Sequence, residues 1–231
     1  ESFGDKDYTD AEIRTLLRDV SLKYPEIRGV TACYEPFGFS QEKRLYCPYY
    51  NKGNQSYVYV EDSYDYTIKG SGTAWYTGVV ENGAKWVDPY YGSAAQEWYV
   101  DYGVPFYYMS GPKKGQVRGI IDFSLEVGDF KNLIHSLSVG RAGYGIITSG
   151  NGTFISHPIS DYVGKKTITD VLDDDTPSGL RRAYTQLQSG KRGQIEFFDE
   201  TNNEDTIFVY DTIETSGYGM GMAFFKRDLM G

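Results

Sequence analysis

A hydrophobic period of two, recurring in short runs on either side of one helical stretch, constrains this chain more than any other feature. Val30–Tyr34, Leu45–Tyr49, Ser56–Val60, Lys85–Val87, Glu97–Tyr107 and Gln116–Leu125 read as strands separated by Gly, Asn, Lys and Pro turns. A second series follows at Gly143–Thr148, Thr153–Ser156, Gly193–Phe198, Thr206–Thr212 and Met220–Phe225. Within it, Pro177 and Gly190 bracket a helix that Asp175 or Thr176 would cap. Between the series, Asp129–Leu137 places Phe130, Leu133, Ile134 and Leu137 on one helical face, with His135 near it as a structural residue. Strands and helices in this order predict an α+β protein of two related antiparallel-sheet units joined by a helix.

A further helix leads the chain. Thr9 and Glu12 form a capping box, and Ile13, Leu16, Leu17, Val20 and Tyr24 share one face before Pro25 stops it. We read Thr9–Tyr24 as the remaining end of a longer helix whose apolar stripe packs on the sheet. A second copy of the chain would pair through the same helix.

Composition excludes several functions. A net charge of −9, without a Lys/Arg cluster beyond Lys113-Lys114 and Arg181-Arg182, argues against nucleic acid. No window approaches the ~18 apolar residues of a membrane span. No leader is legible, and a chain starting at Glu1 reads as cut from a longer one. The 22 Tyr against 12 Phe point to rings with one dry side and one wet end, as in pockets and interfaces. Cys33 and Cys47 lie on neighbouring predicted strands, and they suit a cross-strand disulfide and two buried free thiols equally. No cysteine or histidine spacing argues for zinc, and the acids Asp170 and Asp173–Asp175 lack calcium-loop spacing and fit a solvated helix start. Asp199, Glu200, Glu204 and Asp205 read as an exposed hairpin tip. Asn54-Gln55-Ser56 and Asn151-Gly152-Thr153 fit the glycosylation pattern. His135 and His157 are far apart and no Gly-x-Ser-x-Gly occurs, so a Ser/His/Asp triad is not expected. We expect no catalytic residue, no metal and no cofactor.

The chemistry concentrates between Trp75 and Leu125. Trp75-Tyr76, Trp86, Tyr90 and the acid Asp122, alone in the apolar run Gly119–Leu125, make rings around a carboxylate, the makings of a small-molecule pocket. Trp75, Trp86 and Trp98 also suit a core. A buried carboxylate is costly without a partner, so Asp122 reads as a ligand group.

In order and spacing these landmarks resemble the double Cache family of extracytoplasmic sensor domains. Trp75-Tyr76, Pro89-Tyr90, Asp122, the Gly143–Pro158 strand-turn-strand with His157-Pro158, and Phe224–Leu229 carry the resemblance. Tyr34-Glu35-Pro36-Phe37 and Arg44–Tyr49 are similar to the branch with a long first hairpin. The resemblance implies two PAS-like antiparallel-sheet modules in tandem with a long N-terminal helix. The expected divisions are a stalk helix at 1–25, a membrane-distal module at 26–125, a connecting helix at 126–139 and a proximal module at 140–231. It implies a distal pocket of Thr73, Trp75, Tyr76, Trp86, Tyr90 and Asp122. Family members that bind amino acids have a cation where Thr73 stands and an acid where Gly92 stands. Without the cation there is less to hold a carboxylate, and rings plus one acid suit an amine. Lys69 would be the substitute clamp.

The expected function is therefore ligand sensing, of an amine, amino acid or related metabolite, by the extracytoplasmic part of a membrane-anchored sensor kinase, chemoreceptor or phosphatase, with no catalysis of its own. The rivals are a secreted glycan-binding module and a carboxylate-dependent hydrolase.

Overall fold

The computed structural model describes residues 3–4, 6–92, 97–137, 143–200 and 202–229. Helix α1 (Asp10–Lys23) starts where the sequence predicts, with the Glu12 N–H donating to Thr9 Oγ1 at 3.3 Å and the Thr9 N–H to Glu12 Oε2 at 2.8 Å. Each bond satisfies a donor that the first turn leaves without a helical partner. Thr9→Ala should therefore lower the unfolding free energy by about 1 kcal/mol, read from the denaturant midpoint at unchanged slope.

Strands β1 (Gly29–Tyr34), β2 (Pro48–Asn51) and β3 (Ser56–Tyr59) form an antiparallel meander. The predicted second strand starts three residues earlier than β2 does. The reason is local: the Tyr46 N–H donates to the Tyr66 hydroxyl and the Cys47 N–H to Glu61 Oε2, so side chains replace the ladder there. Helix α2 (Ala74–Asn82) carries Trp75, Tyr76 and Val79 on its buried face. Strands β4 (Lys85–Trp86), β5 (Tyr90–Gly92), β6 (Glu97–Tyr107) and β7 (Val117–Glu126) follow, and the sheet runs β3-β2-β1-β7-β6-β4 with β5 paired to β6.

In antiparallel ladders, directly opposed residues point to one side and alternate along each strand. Register therefore sorts this sheet into two faces. Val30, Ala32, Tyr34 and Phe106 pack with Ile13 and Leu17 of α1 into one apolar core. Cys33, Ile120 and Val87 pack with Trp75, Tyr76 and Val79 of α2 into another, together with Cys47 and Tyr66. Cys33 and Cys47 are joined as a disulfide. Near the start of β7, Arg118 is 6% exposed, between the rings of Tyr34 and Tyr108. Its guanidinium donates to Asp7 Oδ1 at 2.5 Å and to the Gly38 carbonyl at 3.2 Å, tying the segment before α1 to the sheet.

Helix α3 (Val127–Leu137) continues directly from β7; the side chains of Leu133, His135 and Leu137 lie outside the described residues, as do residues 138–142. The second sheet orders β10 (Gly193–Asp199), β11 (Glu204–Ile213), β12 (Tyr218–Phe225), β8 (Tyr144–Thr148) and β9 (Phe154–Ser156), all antiparallel. Helix α4 (Ser178–Gln188) packs Ala183, Tyr184 and Leu187 on Ile195, Phe208 and Tyr210. Its N-cap position is Pro177, because Thr176 and Asp173 bond to each other instead of capping. A short α5 (Lys226–Leu229) follows β12.

The chain divides into two compact units, Glu1–Val87 with Tyr99–Glu126, and Asp88–Trp98 with Val127–Gly231. Thus Asp88–Trp98, which sequence order assigns to the first module, clusters with the second. Trp98 supplies the reason: its ring lies on the Gly164 backbone, where a Cβ would come within 2.3 Å of it. The predicted hairpin tip is exposed at Glu200 and Asp205 and corrected at Asp199. Asp199 ends β10 at 6% exposure, and Glu204 and Asp205 begin β11.

Candidate ligand pocket

Asp122 stands opposite Thr31 of β1 and Gly103 of β6, and so faces α2. Asp101, two residues from Gly103, faces the same way. Their exposures are 2% and 0%. The two carboxyls hydrogen-bond to each other. Burial first, then the Asp101 charge and that hydrogen bond, raise Asp122 far above its usual range. Two carboxyls this close cannot both ionise in a dry site, so the pair retains a proton. Asp122 Oδ1 finds no hydrogen-bond partner and Asp122 no ion pair among the described residues. Gly103 makes the arrangement possible: a Cβ there would lie 3.2 Å from Asp122 Oδ1 and 2.4 Å from Val79 Cγ2 of the covering helix.

Two tyrosines lie within electrostatic reach of this acid pair. Trp75 is 7% exposed and its indole N–H donates to the Tyr64 hydroxyl. Tyr64 is 42% exposed; burial first, and more weakly the charges of both acids, raise its phenol. Tyr49, hydrogen-bonded to Ser124, feels Tyr99, Asp101 and Asp122, and burial pushes its phenol up. These phenols therefore remain neutral donors beside carboxyls.

Of the six residues expected at this site, Asp122 is buried with Asp101, and Trp75 is buried in the apolar core beneath α2 with Cys33 and Ile120. Tyr76 stacks edge-on against Tyr66 at 4.7 Å, and the charges its hydroxyl feels come from Glu35, Asp65 and Tyr108. Thr73 donates its hydroxyl to the Ile68 and Gly70 carbonyls at 2.5 and 3.1 Å, closing the loop before α2. Trp86 opposes Tyr102, which opposes Phe123; alternation sets all three on the α1 face, away from Asp122. Tyr90 lies on β5, in the segment that clusters with the second unit. Lys69 pairs with Glu81 at the surface. Sequence reasoning missed Asp101, Tyr49, Tyr64 and Ser124. Asp101 carried the same signal as Asp122, an acid within a period-two strand, but only the register brings the two together.

The Cache domain family model matches residues 14–230. The extracellular domain of histidine kinase mmHK1S-Z3 superposes with a TM-score of 0.74 at 21% identity, covering 96% of this chain and 83% of that one. The periplasmic sensory domain of the Campylobacter jejuni chemoreceptor Tlp1 gives 0.62 at 13% identity, covering 89% and 74%. The ligand-binding domain of the Pseudomonas aeruginosa PAO1 amino acid chemoreceptor PctB, in complex with L-Arg, gives 0.62 at 18% identity, covering 96% and 75%. With the family model spanning nearly its whole length, the chain belongs to the Cache domain family, here in tandem PAS-like form, a family of signal-transduction sensor domains. Its relatives sense outside the cytoplasm, and the Cys33–Cys47 bond accords with an oxidising compartment. Among the described residues no helix is long and apolar enough to cross a membrane, which does not bear on β-barrels.

Proposed function

We propose that the first unit senses a small amine, as the extracytoplasmic part of a membrane-anchored signalling protein. One observation carries this reading: a carboxyl pair buried under α2 among Trp75, Tyr64 and Tyr49, with one oxygen of Asp122 left without a partner. An entering ammonium would give that oxygen its donor, permit the second carboxyl to ionise, and meet the negative faces of the rings.

PctB binds an amino acid. Here the Thr73 hydroxyl is committed to backbone carbonyls, and Lys85, opposite Gly103, is exposed. An amine without a tightly held carboxylate fits this set better than an α-amino acid. A hydrolase would need its two acids facing each other across a water-filled cleft, whereas these share one dry position. Binding would favour one arrangement of α2 on the sheet over others, the two-state element that a sensor requires.

The direct test is a thermal-shift screen of putrescine, cadaverine and choline against amino acids, dicarboxylates and oligosaccharides. A ligand at 100 times its dissociation constant adds ~2.7 kcal/mol of stability. Stabilisation by amines supports the reading; stabilisation confined to oligosaccharides or dicarboxylates defeats it.

A further inference from the structure

The second unit contains a cavity of 460 Å³ between β8, the segment after β9, the start of α4 and the end of β10. That volume suits a small molecule. Rings of Tyr144, His157, Tyr162, Tyr184 and Phe197 line it. Every formally charged side chain in the lining is an acid: Asp173, Asp175, Asp199 and Glu200.

The inner groups are chemically defined. Asp199, 6% exposed, accepts from the Asn202 N–H at 3.2 Å and Asn202 Nδ2 at 2.9 Å, and is hydrogen-bonded to the Tyr144 hydroxyl. These bonds fix the Asp199 carboxyl at the inner end of the cavity lining. His157 adds no positive charge to oppose it: burial lowers its imidazole to about 4, and its Nδ1 accepts from the Ile159 N–H at 3.0 Å, leaving the proton on Nε2. Tyr184 is 4% exposed and lines the cavity, where burial, then the charges of Asp199 and Tyr162, raise its phenol and keep it neutral.

We propose that the second unit has a ligand site of its own, a receptor for a small organic cation, with Asp199 as buried counter-charge, the tyrosine and phenylalanine rings as walls and the Tyr184 hydroxyl as an acceptor. Asp173, Asp175 and Glu200, exposed at the rim, draw cations inward. A bare metal ion fits less well, because no group of three metal-ligating side chains is gathered among the described residues. Aromatic walls favour an alkylated ammonium over a strongly hydrated ion.

The test is calorimetric titration of the full chain with choline, and with 3,3-dimethylbutanol as its uncharged isostere. An Asp122→Asn background removes the first-unit site from the readout, so failure of either site is scored separately. Choline should still bind in that background, at least tenfold more weakly when Asp199→Asn is added. It should bind several-fold more weakly with Asp175→Asn, an exposed substitution that leaves folding intact. The alcohol should not compete. Loss of all choline binding in Asp122→Asn, equal binding of the alcohol, or indifference to both added substitutions overturns the proposal.

Discussion

Asp122→Asn should bind amines ~100-fold or more weakly than the wild type and, without ligand, unfold at a higher temperature. The two effects share one cause. Removing one partner of a buried charged contact costs roughly 2–5 kcal/mol of binding, and every 1.4 kcal/mol is a factor of ten. In the free protein the same carboxyl is a liability, since it is 2% exposed, lies against Asp101, and has an oxygen without a partner. An asparagine of the same shape donates its amide to Asp101 without the proton that the buried acid must take up at neutral pH, so the variant gains stability there. The pH dependence has a definite sign. Asp122 is raised in the fold above its usual 3.8, so its favourable contribution is complete below that value and is lost as pH rises through the raised one. Wild-type stability without ligand should fall across that window and the variant's should fall less, as measured by pH-resolved thermal melts. A variant less stable than wild type at every pH, with amine affinity intact, would make Asp122 a structural residue.

Loss of the Cys33–Cys47 bond should cost the first unit about 3 kcal/mol, the chain-entropy value for a loop of this size. The cysteines are 14 residues apart and both fully buried, so reductant reaches them only through opening. Urea titration of Cys33→Ala/Cys47→Ala beside the wild type reads the cost directly, and equal midpoints would assign the bond no structural weight. Cys33 lies two residues along β1 from Thr31, which opposes Asp122 and donates to the Pro48 carbonyl at 2.8 Å. The double variant should therefore also bind amines more weakly, through a looser pocket floor.

Much of the fold is legible in the sequence because its signals are local. The Thr9–Glu12 cap, the helical stripe through Ile13 and Leu17, and the period-two strands each depend on neighbours within a few residues. Strand pairing is a long-range fact, and the site depends on it. Nothing near Asp101 announces that it will meet Asp122, and nothing near Trp86 announces that Tyr102 and Phe123 will draw it to the other face. Thr73 shows a different limit: its hydroxyl looks available for a ligand until the Ile68 and Gly70 carbonyls claim it. The start of β2 was misplaced because tyrosine and glutamate side chains, not a strand, satisfy the backbone of Tyr46 and Cys47.

Arg118 and Asp122 belong to the same strand, four residues apart. At about 3.3 Å per residue they stand ~13 Å from each other. One end of this stretch is the acid at the pocket; the other grips Asp7 and the chain just ahead of α1. A paired strand in the middle of a sheet resists stretching, so it acts as a push-rod. An axial displacement of β7 at Asp122 would thus reach Arg118, and through it the chain ahead of α1, along the backbone itself.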